Sequence, residues 1–265
     1  MIRNASAAAA AALSLAAAAL GQHAEDIGLV VKAGSIHTVA VNEFGLGSRQ
    51  RAFQGEFGAE GVPWVCGSPG YFAEAGTFPA DASIGLRFAA PLMVWDGTAF
   101  VATSRSGPLP NERVRLSHLK LAAESGDGPA PGFDLAVPAD GGLDLHPTME
   151  LLAAPGAPEP RAGVYLLQLE VYSGDPAIGS CEPVWIVLNA GADTAEHEAA
   201  YKFARDVVDP SDCAADLNGD RAVDGTDLGM LLSGWDGVGA ADLDADGIVS
   251  GNDLGLLLGS WGTCP

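Results

Sequence analysis

Basic side chains are scarce in this chain: 13 Lys plus Arg stand against 34 Asp plus Glu, a formal net charge of −21 at pH 7. A surface of that sign repels the phosphates of nucleic acid and of anionic membranes, so neither is an expected partner. Cysteine is also sparse. Cys66, Cys181, Cys213 and Cys264 have no His or Cys neighbours at zinc-ligand spacing, which argues against a zinc site. The chain has no Gly-x-Ser-x-Gly elbow and no phosphate-binding glycine loop. His37, His118, His146 and His197 are isolated, and His197-Glu198 lacks the second histidine of a zincin helix. No long apolar run follows residue 20, so no transmembrane segment is expected after the N-terminal stretch.

That stretch is the first thing the sequence does offer. Met1-Ile2-Arg3-Asn4 is a short positive region, Ala5 to Leu20 is an apolar, Ala-rich run, and Ala19-Leu20-Gly21 supplies small residues for cleavage before Gln22. Residues 1–21 thus read as a signal peptide. An Ala-dominated run barely long enough to span favours cleavage over an uncleaved anchor. A secreted or cell-surface protein is expected.

Residues 22–192 read as one antiparallel β-sandwich. Short period-two runs bounded by Gly and Pro include Ile27 to Lys32, Ser35 to Val41, Ile84-Leu86-Phe88, Val114-Leu116, Phe133-Leu135-Val137, Val164 to Tyr172 and Val184 to Leu188. Asp96-Gly97 marks a hairpin turn between Leu92–Trp95 and Thr98–Val101. Residues 193–211 read as helix and linker: Asp193 to Asp206 opens with acids and closes with Lys202 and Arg205, as a helix dipole favours. Asp209-Pro210-Ser211-Asp212 follows as the linker.

Residues 212–265 carry the strongest pattern. They hold ten Asp against one Arg, a net of −9, and one motif occurs twice at a spacing of 26. Calcium takes six to eight hard oxygen ligands, and a twelve-residue loop supplies them from positions 1, 3, 5, 7 (through its carbonyl), 9 and 12. In the first copy these are Asp216, Asn218, Asp220, Ala222, Asp224 and Asp227. In the second they are Asp242, Asp244, Asp246, Ile248, Ser250 and Asp253. Position 12 is Asp rather than Glu, so its carboxylate must sit closer to the ion. Position 6 is Gly247 in the second copy but Arg221 in the first, where a left-handed backbone costs roughly 1 kcal/mol. The first site is therefore expected to be the weaker of two Ca²⁺ sites. At position 8, Val223 and Val249 are placed to pair the two loops through a short strand contact.

After each loop comes an apolar stripe at helical spacing: Leu228, Leu231, Leu232 and Trp235, then Leu254, Leu257, Leu258 and Trp261. A calcium loop followed by one helix, repeated as a near-symmetric pair, resembles a type I dockerin. The resemblance implies a small, all-α, calcium-folded module that binds a cohesin-like or other envelope protein. In that family positions 10 and 11 contribute to partner choice. Here they are Gly225-Thr226 and Gly251-Asn252, unlike the Ser-Thr pairs common in cellulosomal dockerins. A calcium-stapled structural terminus with no cohesin partner is the plainer reading. The four cysteines admit three connectivities. Because Cys213 and Cys264 bracket the repeat, we expect a bridge there, contributing about 4 kcal/mol, with Cys66 paired to Cys181.

Upstream, Gly76 to Phe88, Leu92 to Gly97, Gly163 to Glu170 and Glu182 to Asn189 look similar to a family of exported proteins of planctomycetes and related bacteria, a resemblance that implies no activity. Dockerins commonly deliver polysaccharide-degrading enzymes, and a glycosidase needs two acids about 5 to 10 Å apart. Glu43, Glu56, Glu60, Glu74, Asp96, Glu112 and Glu170 are available, but none sits in a marking motif. Trp64, Trp95 and Trp185 would suit a sugar-stacking platform, though strand patterns favour a core role for them. The sequence thus points to a mainly β, non-catalytic or unassigned domain attached through calcium loops. A polysaccharide-binding or hydrolytic accessory is the alternative.

Overall fold

The computed structural model describes residues 26–42, 45–103, 111–208, 213–218, 222–239, 241–244 and 248–264. The expected signal peptide and the linker 209–212 lie outside the described residues, as do Asp220, Arg221, Asp246 and Gly247. Among the described residues no helix is long and apolar enough to cross a membrane.

Among the described residues the chain is mainly β, and residues 26–190 form three sheets where two were expected. In the first, β1 (Ile27–Lys32), β2 (Ser35–Asn42), β3 (Gly45–Arg49), β6 (Tyr71–Ala73) and β13 (Leu143–Leu145) lie in the order β13-β6-β1-β2-β3. In the second, β5 (Val65–Cys66), β10 (Arg113–His118), β11 (Leu121–Glu124) and β14 (Thr148–Leu152) lie in the order β11-β10-β14-β5. The third comprises β4 (Ala52–Glu56), β7 (Ser83–Phe88), β12 (Ala130–Ala136), β15 (Gly163–Ser173) and β16 (Val184–Ala190) in the order β12-β7-β15-β16-β4. The hairpin β8 (Met93–Trp95) and β9 (Phe100–Ala102) joins it through β15. Pairing is antiparallel except for β1 with β6 and β16 with β4. Those two pairs join segments far apart in sequence, where no tight turn imposes an antiparallel return.

One core serves all three sheets, taking Ile27 and Leu29 from the first, Leu116 and Met149 from the second, and Leu86, Leu167 and Leu169 from the third. The continuous apolar run Val164 to Leu167 departs from alternation because both faces of β15 are covered there. Tyr165 and Leu167 face the main core, while Val164 and Leu166 face a helix. That helix, α1 (Thr194–Val208), packs through Ala200, Ala204 and Val208, small side chains at i, i+4 and i+8 that let it approach the sheet closely. Asp193 accepts the Glu196 N–H at 2.8 Å at its start. At its end, Arg51 donates to the otherwise open Val208 carbonyl at 3.3 Å.

Two local expectations are corrected. The β8–β9 turn is centred on Gly97-Thr98, one residue later than Asp96-Gly97: Asp96 N–H meets the Ala99 carbonyl at 3.0 Å, and only Gly97 takes a positive φ, 99°. The Asp96 carboxylate instead accepts the Thr98 and Ala99 N–H groups. The second correction concerns the cysteines. Cys213 and Cys264 are bridged, with Cα atoms 5.7 Å apart, but Cys66 and Cys181 are free, buried thiols. Cys66 lies in the second sheet and donates to the Ser68 carbonyl, whereas the Cys181 sulfur accepts the Val171 N–H of the third sheet at 3.1 Å. Burial pushes the Cys66 thiol up and the Cys181 thiol up to about 11, so both stay protonated and unreactive at neutral pH. Iodoacetamide should therefore label neither thiol in the native, non-reduced protein and both after denaturation. Intact-mass measurement reads the adducts, and a denatured chain that takes none would mean that the two are bridged after all.

Candidate metal centre

The helices α2 (Gly225–Ser233) and α3 (Gly251–Gly259) begin inside the two loops. Position 9 is the N-cap of each helix: the Asp224 side chain accepts the Thr226 N–H at 2.7 Å and that of Ser250 the Asn252 N–H at 3.3 Å. Position 12 is then the third helical residue, which closes a capping box that is more often built with Glu or Gln.

The shorter Asp does more than cap. Asp227 Oδ1 accepts the N–H groups of Leu217 (2.8 Å) and Asn218 (3.1 Å), while Oδ2 accepts that of Asp224 (2.8 Å). Asp253 repeats this on Leu243 (2.7 Å), Asp244 (3.2 Å) and Ser250 (2.6 Å). Both carboxylates are fully buried. Each one ties the start of its loop to the helix that ends it. Burial alone would raise the Asp253 carboxyl, but the Ser250, Asp244 and Leu243 N–H donors outweigh it and hold the group below its ordinary value.

In the second loop, carboxylate oxygens of Asp242, Asp244 and Asp253 lie within 4.8 Å of one another. Oxygens sharing one calcium ion at 2.3–2.6 Å are at most about 5 Å apart, so the set is no wider than a single bound cation allows. Ile248 at position 7 is exposed and Ser250 lies beside the cluster in sequence; Asp246 lies outside the described residues. Among the described residues of the first loop, Asp216, Asn218, Ala222, Asp224 and Asp227 hold no such cluster of three carboxylates, and Asp220 lies outside them. Asp216 sits instead 3.7 Å from the Cys264 sulfur. Cys213, Asp216 and Cys264 converge, but sulfurs joined in a disulfide offer no thiolate to a metal.

Val223 and Val249 do not pair with each other, as the sequence had led us to expect. Val223 belongs to β17 (Ala222–Val223), which pairs with β18 (Gly262–Thr263), beyond α3. Val249 exchanges backbone bonds with Asp236 (2.9 Å) and Gly237 (2.8 Å), beyond α2. Each loop is therefore closed by the segment that follows the other loop's helix. Asp236 (φ 61°) and Gly262 (φ 126°), 26 positions apart, both take the left-handed backbone this closure uses.

The apolar stripes are split as well. Leu231 and Leu257 are buried with Val223, Val249, Ala215 and Leu217. Leu232 and Leu258 are each 51% exposed, and Met230, Leu256, Trp235 and Trp261 are exposed with them. Sequence periodicity put all four residues of a stripe on one face but could not say how little of that face a module this small covers.

Elsewhere, four of the candidate acids, Glu60, Asp96, Glu112 and Glu170, have structural partners, while Glu43 lies outside the described residues. Arg87 binds Glu170 through two nitrogens and holds its carboxyl below the ordinary range, which suits an ion pair and not a general acid. Glu60 accepts the Gly67 N–H at 3.0 Å, and Glu112 is buried beside Arg161. The three tryptophans form no platform: Trp95 packs on Phe100 and Phe203 at 5.1 and 5.3 Å, Trp185 lies against the same cluster, and Trp64 against the main core. Sequence reasoning also passed over Lys32, whose ammonium donates to the Asn218 carbonyl of the first loop at 2.6 Å, a contact between segments 186 residues apart that leaves no local signal.

Asp253 gives a pH prediction. Its folded pKa lies below its unfolded one, so the unfolded chain binds more protons, and stability falls with acidification. Its contribution is complete above the ordinary carboxylate value of about 4 and is lost as the pH drops through the folded value. In metal-free buffer the α2–α3 region should lose helical circular dichroism over that range, with Asp253→Asn flattening part of the transition. An unchanged profile would remove the role given to this carboxylate. Comparison of the whole chain with family models, curated proteins and solved structures finds no match.

Proposed function

We propose that residues 212–265 form a two-site calcium module that attaches the β domain to a protein partner at the cell envelope or outside the cell. The observation that carries this reading is the duplicated geometry of position 12, where Asp227 and Asp253 hold two loops of the same ligand pattern in the same way. Asp242, Asp244, Asp246, Ser250, Asp253 and the Ile248 carbonyl would hold one ion. Asp216, Asn218, Asp220, Asp224, Asp227 and the Ala222 carbonyl would hold the other. When bound, calcium supplies the positive charge that lets these carboxylates stay close together. At a hundred times its Kd it stabilises the folded state by about 2.7 kcal/mol per site.

Support for a protein partner comes from the helices. Met230, Leu232 and Trp235 recur 26 positions later as Leu256, Leu258 and Trp261, all exposed. Apolar side chains repeated on the outside of a small acidic module are what a docking face of the cohesin-binding kind requires. A polysaccharide-catabolic role for the β domain stays a weaker reading, since its tryptophans are spent on packing.

Calorimetric titration of the full chain should reveal two calcium-binding events. Asp242→Ala should remove the tighter and Asp216→Ala the weaker. Leu232→Asp with Leu258→Asp should leave calcium binding within about twofold, since surface changes away from such features are near neutral, yet abolish calcium-dependent capture of a cohesin-like partner. Absence of calcium binding at millimolar concentration would reduce the repeat to a structural hairpin.

A further inference from the structure

The two halves of the C-terminal module correspond at a shift of 26 positions, and the correspondence reaches past the loops to their outer ends. Asp216 donates its N–H to the Cys213 carbonyl at 3.0 Å, and Asp242 donates its own to the Gly239 carbonyl at 2.9 Å. Cys213 is therefore the counterpart of Gly239. At the closing side, Val223 is met by Gly262–Thr263 and Val249 by Asp236-Gly237, so that Cys264, the next residue, is the counterpart of Val238. Val238 and Gly239 are joined by a peptide bond. Their counterparts, Cys264 and Cys213, are joined by the disulfide.

The bridge thus does for the first loop what chain continuity does for the second. A peptide bond sets neighbouring Cα atoms about 3.8 Å apart; the bridge sets these two 5.7 Å apart and turns a linear repeat into a ring of two like halves. It also holds the closing segment beside the first ligand position of the loop, with the Cys264 sulfur 3.7 Å from Asp216 Oδ2. Once the bridge opens, that segment is a chain end held to the loop by a two-residue strand pair, and so short a pair has little stability of its own. The second loop has no such weak point, because a peptide bond does not open. Both bridged sulfurs are half-buried, and Cys66 and Cys181 are already thiols, so a reductant acts on this bridge alone.

We propose that the Cys213–Cys264 bridge is a redox gate on the first calcium site, with the second site independent of it. This deepens the calcium reading above and rests on it. A dithiol reductant supplies two electrons and two protons: the S–S bond breaks, Cys213 and Cys264 become thiols, and the dithiol leaves as its own disulfide. Calcium binding at the first loop must then also restore the closure, and part of the binding free energy goes into that ordering.

The test is calorimetric calcium titration of the full chain, oxidised and after dithiol reduction, together with amide hydrogen exchange on the metal-free protein. Reduction should weaken the weaker calcium event about tenfold or more, a modest share of what a bridge over so long a loop contributes. The tighter event should stay within about twofold. Asp242→Ala, which keeps only the first site, should lose its calcium affinity on reduction, whereas Asp216→Ala, which keeps only the second, should be indifferent to the reductant. Cys264→Ser should reproduce reduction. In the metal-free chain, reduction should speed exchange in 222–223 and 262–263, while the Val249 amide, bonded to Gly237, keeps its rate. Equal weakening of both sites, no change at either, or joint loss of protection at Val223 and Val249 would overturn the gate. If the oxidised chain binds no calcium, the gate falls too; selective exchange then puts the fault in the calcium reading, and uniform exchange puts it in the ring.

Discussion

The ladder between β15 and β16 is the constraint from which the rest of the chain takes its position. Seven consecutive residue pairs, Gly163 with Ala190 through Leu169 with Val184, place an apolar surface on both sides of one sheet. One side closes over the shared core of three sheets, and the other is capped by α1, with Trp95 and Phe100 of the β8–β9 hairpin completing that cluster. At about 25 cal/mol per Å² of apolar surface removed from water, burial on two faces makes this the most strongly held part of the β domain. The helix that caps it, α1, ends where Arg51 donates to the Val208 carbonyl.

The strong elements were legible because they repeat a period. β1, β2, β7, β10, β15, β16 and α1 match runs of apolar alternation or helical spacing within a residue or two at their ends, and β12 starts three residues before its run at Phe133. What could not be read were the elements made by their neighbours. β5, β6 and β13 are two or three residues long and exist only because a longer strand offers them a ladder. The division into three sheets, and the parallel contacts of β4 and β6, are set by long-range packing that no local pattern records.

The site shows the same division. The spacing of acids in the repeat was readable, and Asp242, Asp244 and Asp253 do converge. The threefold N–H grip of Asp227 and Asp253 was hidden, because a signature that marks position 12 as a ligand says nothing of its work as a helix cap. Pairing Cys66 with Cys181 failed because elimination supplied a partner that the fold does not bring to either thiol.

The crossed closure of the two loops bears on the order in which the module can form during synthesis. The turn that bonds Val249, Asp236-Gly237, is already made when that residue emerges, but the strand that closes around Val223 is Gly262–Thr263, 39 positions later. Neither repeat is an independent folding step, and the earlier one waits on the later. Until then the first repeat has its helix cap but not its closing strand.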